Sequence, residues 1–339
     1  MGSLARTIRK EAAEPMEGKQ MFSRSWLAAA GRLEREAGAA RLLRVCCALV
    51  LAVAAAIAVV AVSARSADSQ ESGQVVPLER AHAHNDYEHE RPLYDALGHG
   101  FKSVEADIWL IDGELVVSHD DPRLPTTEEP QGTLESLYLE PLRRQIKANG
   151  GTVYQGDPDY FTLLIDIKSE DVATYLALHE ELRKYRAMLT KFGPEGVKDG
   201  AVTAIVSGNR PRAYMEAQKV RYAAYDGRIP DDLGGTQNPQ SFVPLVSQNW
   251  TRLFTWQGVG PMPEDERQML HELVATAHAN GQRVRFWATP EVPGAREAVW
   301  RELVAAEVDY INTDNLAALE TFLLTNDPQP TGPHVYWNH

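Results

Sequence analysis

From residue 79 onward, short apolar runs alternate with helical stretches, and that alternation points to parallel β/α architecture. The first strand ends in Arg80-Ala-His-Ala-His84. Further strands are expected at Ser103–Leu110, Phe161–Lys168, Ala201–Ser207, Tyr222–Tyr225, Val243–Ser247, Arg283–Ala288 and Val308–Asn312. Helices are expected between them, including one capped by Ser169 and an amphipathic one over Pro263–Asn280 stopped at Gly281. Eight strand positions over about 245 residues fit an α/β fold of the TIM (β/α)8 barrel type. A doubly wound open sheet is the alternative, although the chain has no glycine-rich dinucleotide loop and no phosphate-loop lysine motif.

In such barrels the reactive groups sit at the carboxyl ends of the strands. Glu105 and Asp107 are two apart on the second strand, so both carboxylates face one side. A turn at Asp112-Gly113 returns the chain to His119-Asp120. The third strand offers Asp166 and Lys168, again two apart, and the first offers His82 and His84. Each pair alone is more often an ordinary strand face or turn. Their meeting at one end of consecutive strands is what suggests a site. Glu105, Asp107 and Asp166 give oxygen-only ligation suited to one hard cation, Mg2+ or Ca2+. Two nearby histidines suit general base and general acid, and Lys168 suits an anionic group.

Upstream, Val45 to Val62 is 18 residues without a charge, preceded by Arg41 and Arg44. It reads as a transmembrane anchor or signal segment over 45–64, after a disordered cytoplasmic tail over 1–44 and before a linker over 65–78. The barrel is expected over 79–325 and a C-terminal tail over 326–339. This predicts a body that is membrane-anchored through residues 45–62 and exported, or secreted after cleavage. Residues 1–67 hold ten Lys/Arg and five Glu, a net +5, so the total of −13 leaves −18 on residues 68–339. That acidic body argues against nucleic acid as a partner. Cys46 and Cys47 are the only cysteines, so the body has neither disulfides nor thiol chemistry.

His84, Glu105-Ala-Asp107 and Gly113-Glu-Leu-Val-Val-Ser-His119-Asp120 resemble the core of the glycerophosphodiester phosphodiesterase and phosphatidylinositol-specific phospholipase C-like superfamily. Leu163–Lys168, Val284–Trp287 and Val308–Asp314 resemble its third, seventh and eighth strands, with Asp166 where many members carry Glu. The opening Ala81-His-Ala-His-Asn-Asp-Tyr87 departs from the commoner His-Arg-Gly and looks like the branch of the altered inheritance of mitochondria protein 6 group. The resemblance implies a metal-dependent phosphoric diester hydrolase acting on a glycerophosphodiester- or lysophospholipid-like substrate, in some members through a cyclic phosphate. It implies Glu105, Asp107 and Asp166 as metal ligands and His119 as one catalytic histidine. The other is His84 or His82, and the spacing to Glu105 favours His84. Lys168, His82, Asn85 and Trp287 are the candidates for substrate contact. The arginine missing after the histidine removes a phosphate contact, for which Lys168 and Arg210 are candidate replacements. Two rivals remain: an amidohydrolase or histidinol-phosphatase-like hydrolase built on His82-Ala-His84, and a barrel that binds a headgroup without catalysis.

Overall fold

The computed structural model describes residues 75–125 and 129–332. Eight parallel strands carry the fold: β1 Leu78–Ala83, β2 Phe101–Ile111, β3 Phe161–Ile167, β4 Val202–Gly208, β5 Ala223–Arg228, β6 Leu245–Asn249, β7 Arg283–Trp287 and β8 Tyr310–Thr313. Each pairs with the next in chain order, and β8 also pairs with β1, so the sheet closes into a TIM barrel. The open-sheet alternative is excluded by that closure. Helices follow the strands on the outside, among them α1 Tyr94–Gly98, α2 Glu140–Ala148, α3 Asp171–Lys184, α4 Arg212–Ala217, α5 Trp250–Leu253, α6 Glu264–Ala279, α7 Ala295–Ala305 and α8 Leu316–Asn326.

Two cores hold it. The larger lies between strands and helices, where aromatic side chains such as Trp250, Phe286 and Trp300 are fully buried. The smaller fills the barrel with Leu164, Ile205, Ala224, Leu245 and Tyr310, one from each of five strands. Phe192 joins it from a small hairpin, Lys191–Gly193 paired with Gly196–Lys198, which the sequence pattern did not suggest. Strands of three residues are too short to show a period.

Local chemistry explains two details that position the site. Asp112 and Gly113 both have positive φ, 49° and 89°, as a two-residue type I′ hairpin requires. The hairpin therefore twists with β2 and pairs Ile108 with Val117. Ser169 does not cap α3. Glu170 does, accepting from the amides of Val172 and Ala173, while Ser169 Oγ accepts from the amide of Leu110 and ties β2 to the end of β3.

Residues 45–62, on which the expected membrane anchor rested, lie outside the described residues. Among the described residues no helix is long and apolar enough to cross a membrane.

Candidate active site

The register puts the acidic residues together. Asp107 on β2 is paired with Asp166 on β3, and Asp166 with Ser207 on β4. Glu105, Asp107 and Asp166 each offer an oxygen within 4.8 Å of the others, the one such cluster among the described residues. Gly208, at φ +67°, makes room for it: a Cβ there would lie 2.2 Å from Asp166 Oδ1.

Asp107 is fully buried. Its Oδ2 accepts from the Tyr87 hydroxyl at 2.8 Å and pairs with Lys168 Nζ at 3.0 Å. Its Oδ1 has no hydrogen-bond partner. A buried carboxylate oxygen left unpaired is costly, and a hard cation would satisfy it. The donor set thus fits Mg2+ or Ca2+. Burial, then the neighbouring Glu105 charge, pushes the Asp107 carboxyl up to about 7. Burial likewise raises Asp166, against the pull of Lys168 3.3 Å away.

Glu105 behaves differently. Burial pushes it up, but the Arg285 guanidinium and the two histidines pull it well below the usual carboxylate range. Arg285 is itself buried on β7, donating through Nη2 to Glu105 Oε2 and through Nε and Nη2 to Asn312 Oδ1 on β8. Sequence reasoning missed Arg285 as a site residue. Its signal was a charge in the middle of an apolar strand, two residues before Trp287 on the same face.

The histidines differ in surroundings. His82 is 1% exposed, with Nδ1 on the Ser103 hydroxyl at 2.7 Å and Nε2 3.5 Å from Glu105, out of line for a hydrogen bond. Burial and Arg285 push it down to about 4. The His84 side chain is 28% exposed, with Nδ1 on Asp314 at 2.7 Å and Nε2 4.0 Å from Glu105. Burial lowers its pKa, but the Asp314 hydrogen bond and the Glu105 charge outweigh it, so it is raised.

His119 follows the hairpin. The Ser118 amide donates to the Asp107 carbonyl at 3.1 Å and the Trp109 indole donates to the Ser118 carbonyl, which fixes the backbone beside the carboxylates. The His119 side chain is 57% exposed and bonds to Asp120 at 3.2 Å. Asn85 sits in the left-handed region after β1, its amide on Glu88. Trp287, half-buried, ends β7 opposite Asn249.

A family profile described as "AIM6-like phosphodiesterase domain" matches residues 69–226, and one described as "Glycerophosphoryl diester phosphodiesterase family" matches residues 283–317. "Altered inheritance of mitochondria protein 6" of Eremothecium gossypii is 30% identical over 76% of this chain and 73% of its own. The chain belongs to the altered inheritance of mitochondria protein 6 family. A homolog from Arthroderma benhamiae is 27% identical over 73% of this chain and 84% of its own. A solved "Ca+2 dependent Phosphatidylinositol-specific phospholipase C" from Streptomyces antibioticus is similar at TM-score 0.47 and 14% identity, over 74% of this chain and 96% of that one. That likeness is too low to carry an argument.

The expected placement, anchored in a membrane with an exported body or secreted after cleavage, does not hold. No described helix is long and apolar enough to cross a membrane. The family's name speaks of inheritance of mitochondria and says nothing of anchoring or export.

Proposed function

We propose that this barrel cleaves phosphodiesters of the glycerophosphodiester or lysophospholipid-like class, with Glu105, Asp107 and Asp166 holding one Mg2+ or Ca2+. The observation that carries the reading is the buried carboxylate cluster, in which Asp107 Oδ1 is unpaired, Asp107 Oδ2 pairs with Lys168 and Glu105 Oε2 lies 4.0 Å from His84 Nε2. Bound there, the cation supplies Lewis-acid polarisation of a phosphoryl oxygen.

The chain's own groups do the rest. Lys168, held by Asp107 and Asp166, binds a non-bridging phosphate oxygen. Asp314 occupies His84 Nδ1 and so leaves Nε2 for the site, where it takes the proton of the attacking hydroxyl. As the new P–O bond forms, the bond to the leaving oxygen breaks, and His119 delivers a proton to that oxygen. When the attacker is the substrate's own neighbouring hydroxyl, the products are a cyclic phosphate and an alcohol. Water attacking in the same way opens the ring. His119 lies 57% exposed beside Asp120, and closer contact is made with substrate bound, as catalytic hydrogen bonds often tighten only then.

His82 is assigned to support. Neutral and buried, it cannot deliver a proton near neutral pH, and its contact with Ser103 fixes it against Glu105. Asn85 and Trp287 are assigned to the rim that meets substrate. The all-carboxylate cluster favours this reading over an amidohydrolase, which would recruit His82 and His84 as ligands.

The test is product analysis by mass spectrometry across a phosphodiester panel, with His84→Ala and His82→Gln compared. His84→Ala is expected to lower kcat by roughly 100-fold or more, and His82→Gln far less. Equal losses in both would remove the assignment of His84.

A further inference from the structure

Asp86 and Tyr87 follow the histidines of β1, are both buried, and have no part in the proposed reaction. Asn85, in the left-handed region, turns the chain into a 3-10 turn over Asp86–Glu88. Asp86 then closes the loop, its Oδ2 accepting from the Leu93 amide at 2.5 Å. Leu93 itself sits at φ 64°, a strained conformation for a bulky residue that persists only where its surroundings fix it. From the segment after His119, Gln131 Nε2 donates to the carbonyls of Tyr87 at 2.9 Å and His89 at 3.4 Å. Connections at a barrel's rim are ordinarily among its more mobile parts. This one is tied at three points, and it delivers the Tyr87 hydroxyl to Asp107 Oδ2 at 2.8 Å with 6% of the tyrosine exposed.

Asp107 Oδ2 has a second donor in Lys168 Nζ, at 3.0 Å. The two donors are not equivalent. Lys168 has three protons and shares them between Asp107 and Asp166, with a phosphate oxygen as the third acceptor in the proposed reaction. Tyr87 has one proton and gives it to Asp107. A carboxylate free to turn about its last torsion can present either oxygen or both to a cation. With Oδ2 pinned, Oδ1 is the oxygen left over, and it is the one that is buried without a hydrogen-bond partner. Groups that hydrogen-bond to a metal's ligands orient them, and losing one typically weakens metal binding by about 10- to 100-fold.

We propose that Tyr87 is a positioning residue for the cation site. Its hydroxyl holds Asp107 so that Oδ1 alone faces the cation, and it keeps that hold while Lys168 is engaged with substrate. Asp86 and Gln131 are the fixtures that keep the hydroxyl in place. This rests on the reading that Glu105, Asp107 and Asp166 hold a divalent cation.

The test is cation binding without substrate, so that it is independent of turnover. Calorimetry with Mg2+ and with Ca2+ on the full chain compares wild type, Tyr87→Phe and a control, Tyr175→Phe, which removes a hydroxyl donated to Gln218 from α3 on the outside of the barrel. Tyr87→Phe keeps the ring and loses only the donor, and urea unfolding in chelator reads its fold separately. It is expected to bind the ion that the wild type binds about tenfold or more weakly, with Tyr175→Phe unchanged. Gln131→Ala keeps the hydroxyl but frees the loop. A loss in the same direction is expected there, and it carries the test if Tyr87→Phe fails to fold. Wild-type affinity in Tyr87→Phe overturns the proposal even if stability falls, because the tyrosine is then a packing residue only. An equal loss in Tyr175→Phe overturns it too. A wild type that binds neither ion overturns it together with the cation reading beneath it, whereas wild-type affinity in Tyr87→Phe leaves that reading standing.

Discussion

Asp107 is buried between Glu105 and Asp166, and its carboxyl is pushed up to about 7 from 3.8, by burial first. Between about pH 4 and about 7, the cation-free folded chain keeps a proton there that the unfolded chain has lost. The contribution of Asp107 to stability therefore falls as pH rises through that window. Asp107→Asn cannot lose that proton. In urea unfolding with chelator present, the variant should gain on the wild type, by a few kcal/mol in all, as pH rises from about 4 to about 7. A pH-independent difference would contradict burial as the cause. Arg285 makes a second prediction. Arg285→Gln leaves Glu105 buried without its partner, at a cost of about 3–5 kcal/mol by denaturant unfolding. A change under about 1 kcal/mol would show the pair to be dispensable. At this scale the sequence made much of the site legible. Glu105, Asp107 and Asp166 followed from period-2 spacing on adjacent strands. His82 against His84 was not legible, because the two share one face at period-2 spacing, and only the end of β1 at Ala83 leaves His84 at the rim and His82 buried inside.

The barrel strands were legible as elements because a buried parallel strand is a near-continuous apolar run bounded by turns. The plugging hairpin was not, and it yields its own test. Phe192 closes the small core inside the barrel. Phe192→Ala should cost about 3–5 kcal/mol in unfolding free energy, and a loss under about 1 kcal/mol would mean the plug does not seal that core. The end of β4 is equally constrained. Gly208→Ala forces a Cβ against Asp166 Oδ1 at a positive φ. Titration with Ca2+ or Mg2+ should show cation affinity falling about tenfold or more, with the barrel still folded. Unchanged affinity would remove Asp166 from the cation cluster.

For the whole molecule, closure of the sheet in chain order brings residues from opposite ends of the domain together. Arg285 meets Glu105 across 180 residues, and His84 meets Asp314 across 230. No local pattern predicts such contacts, which is why the carboxylates were legible and their arginine was not. The net charge of −18 argued against a broad nucleic-acid partner but showed nothing of where single charges sit, since composition averages over the surface. The central claim is that a divalent cation on Glu105, Asp107 and Asp166 is required to cleave phosphodiesters. It is tested most directly by measuring hydrolysis of a phosphodiester panel by wild type and Glu105→Gln, with chelator and after adding back Mg2+ or Ca2+. The account predicts wild-type activity that chelator abolishes and one of the two ions restores, with Glu105→Gln lower by roughly 100-fold or more. Hydrolysis that persists in chelator, or at wild-type rate in Glu105→Gln, would contradict it.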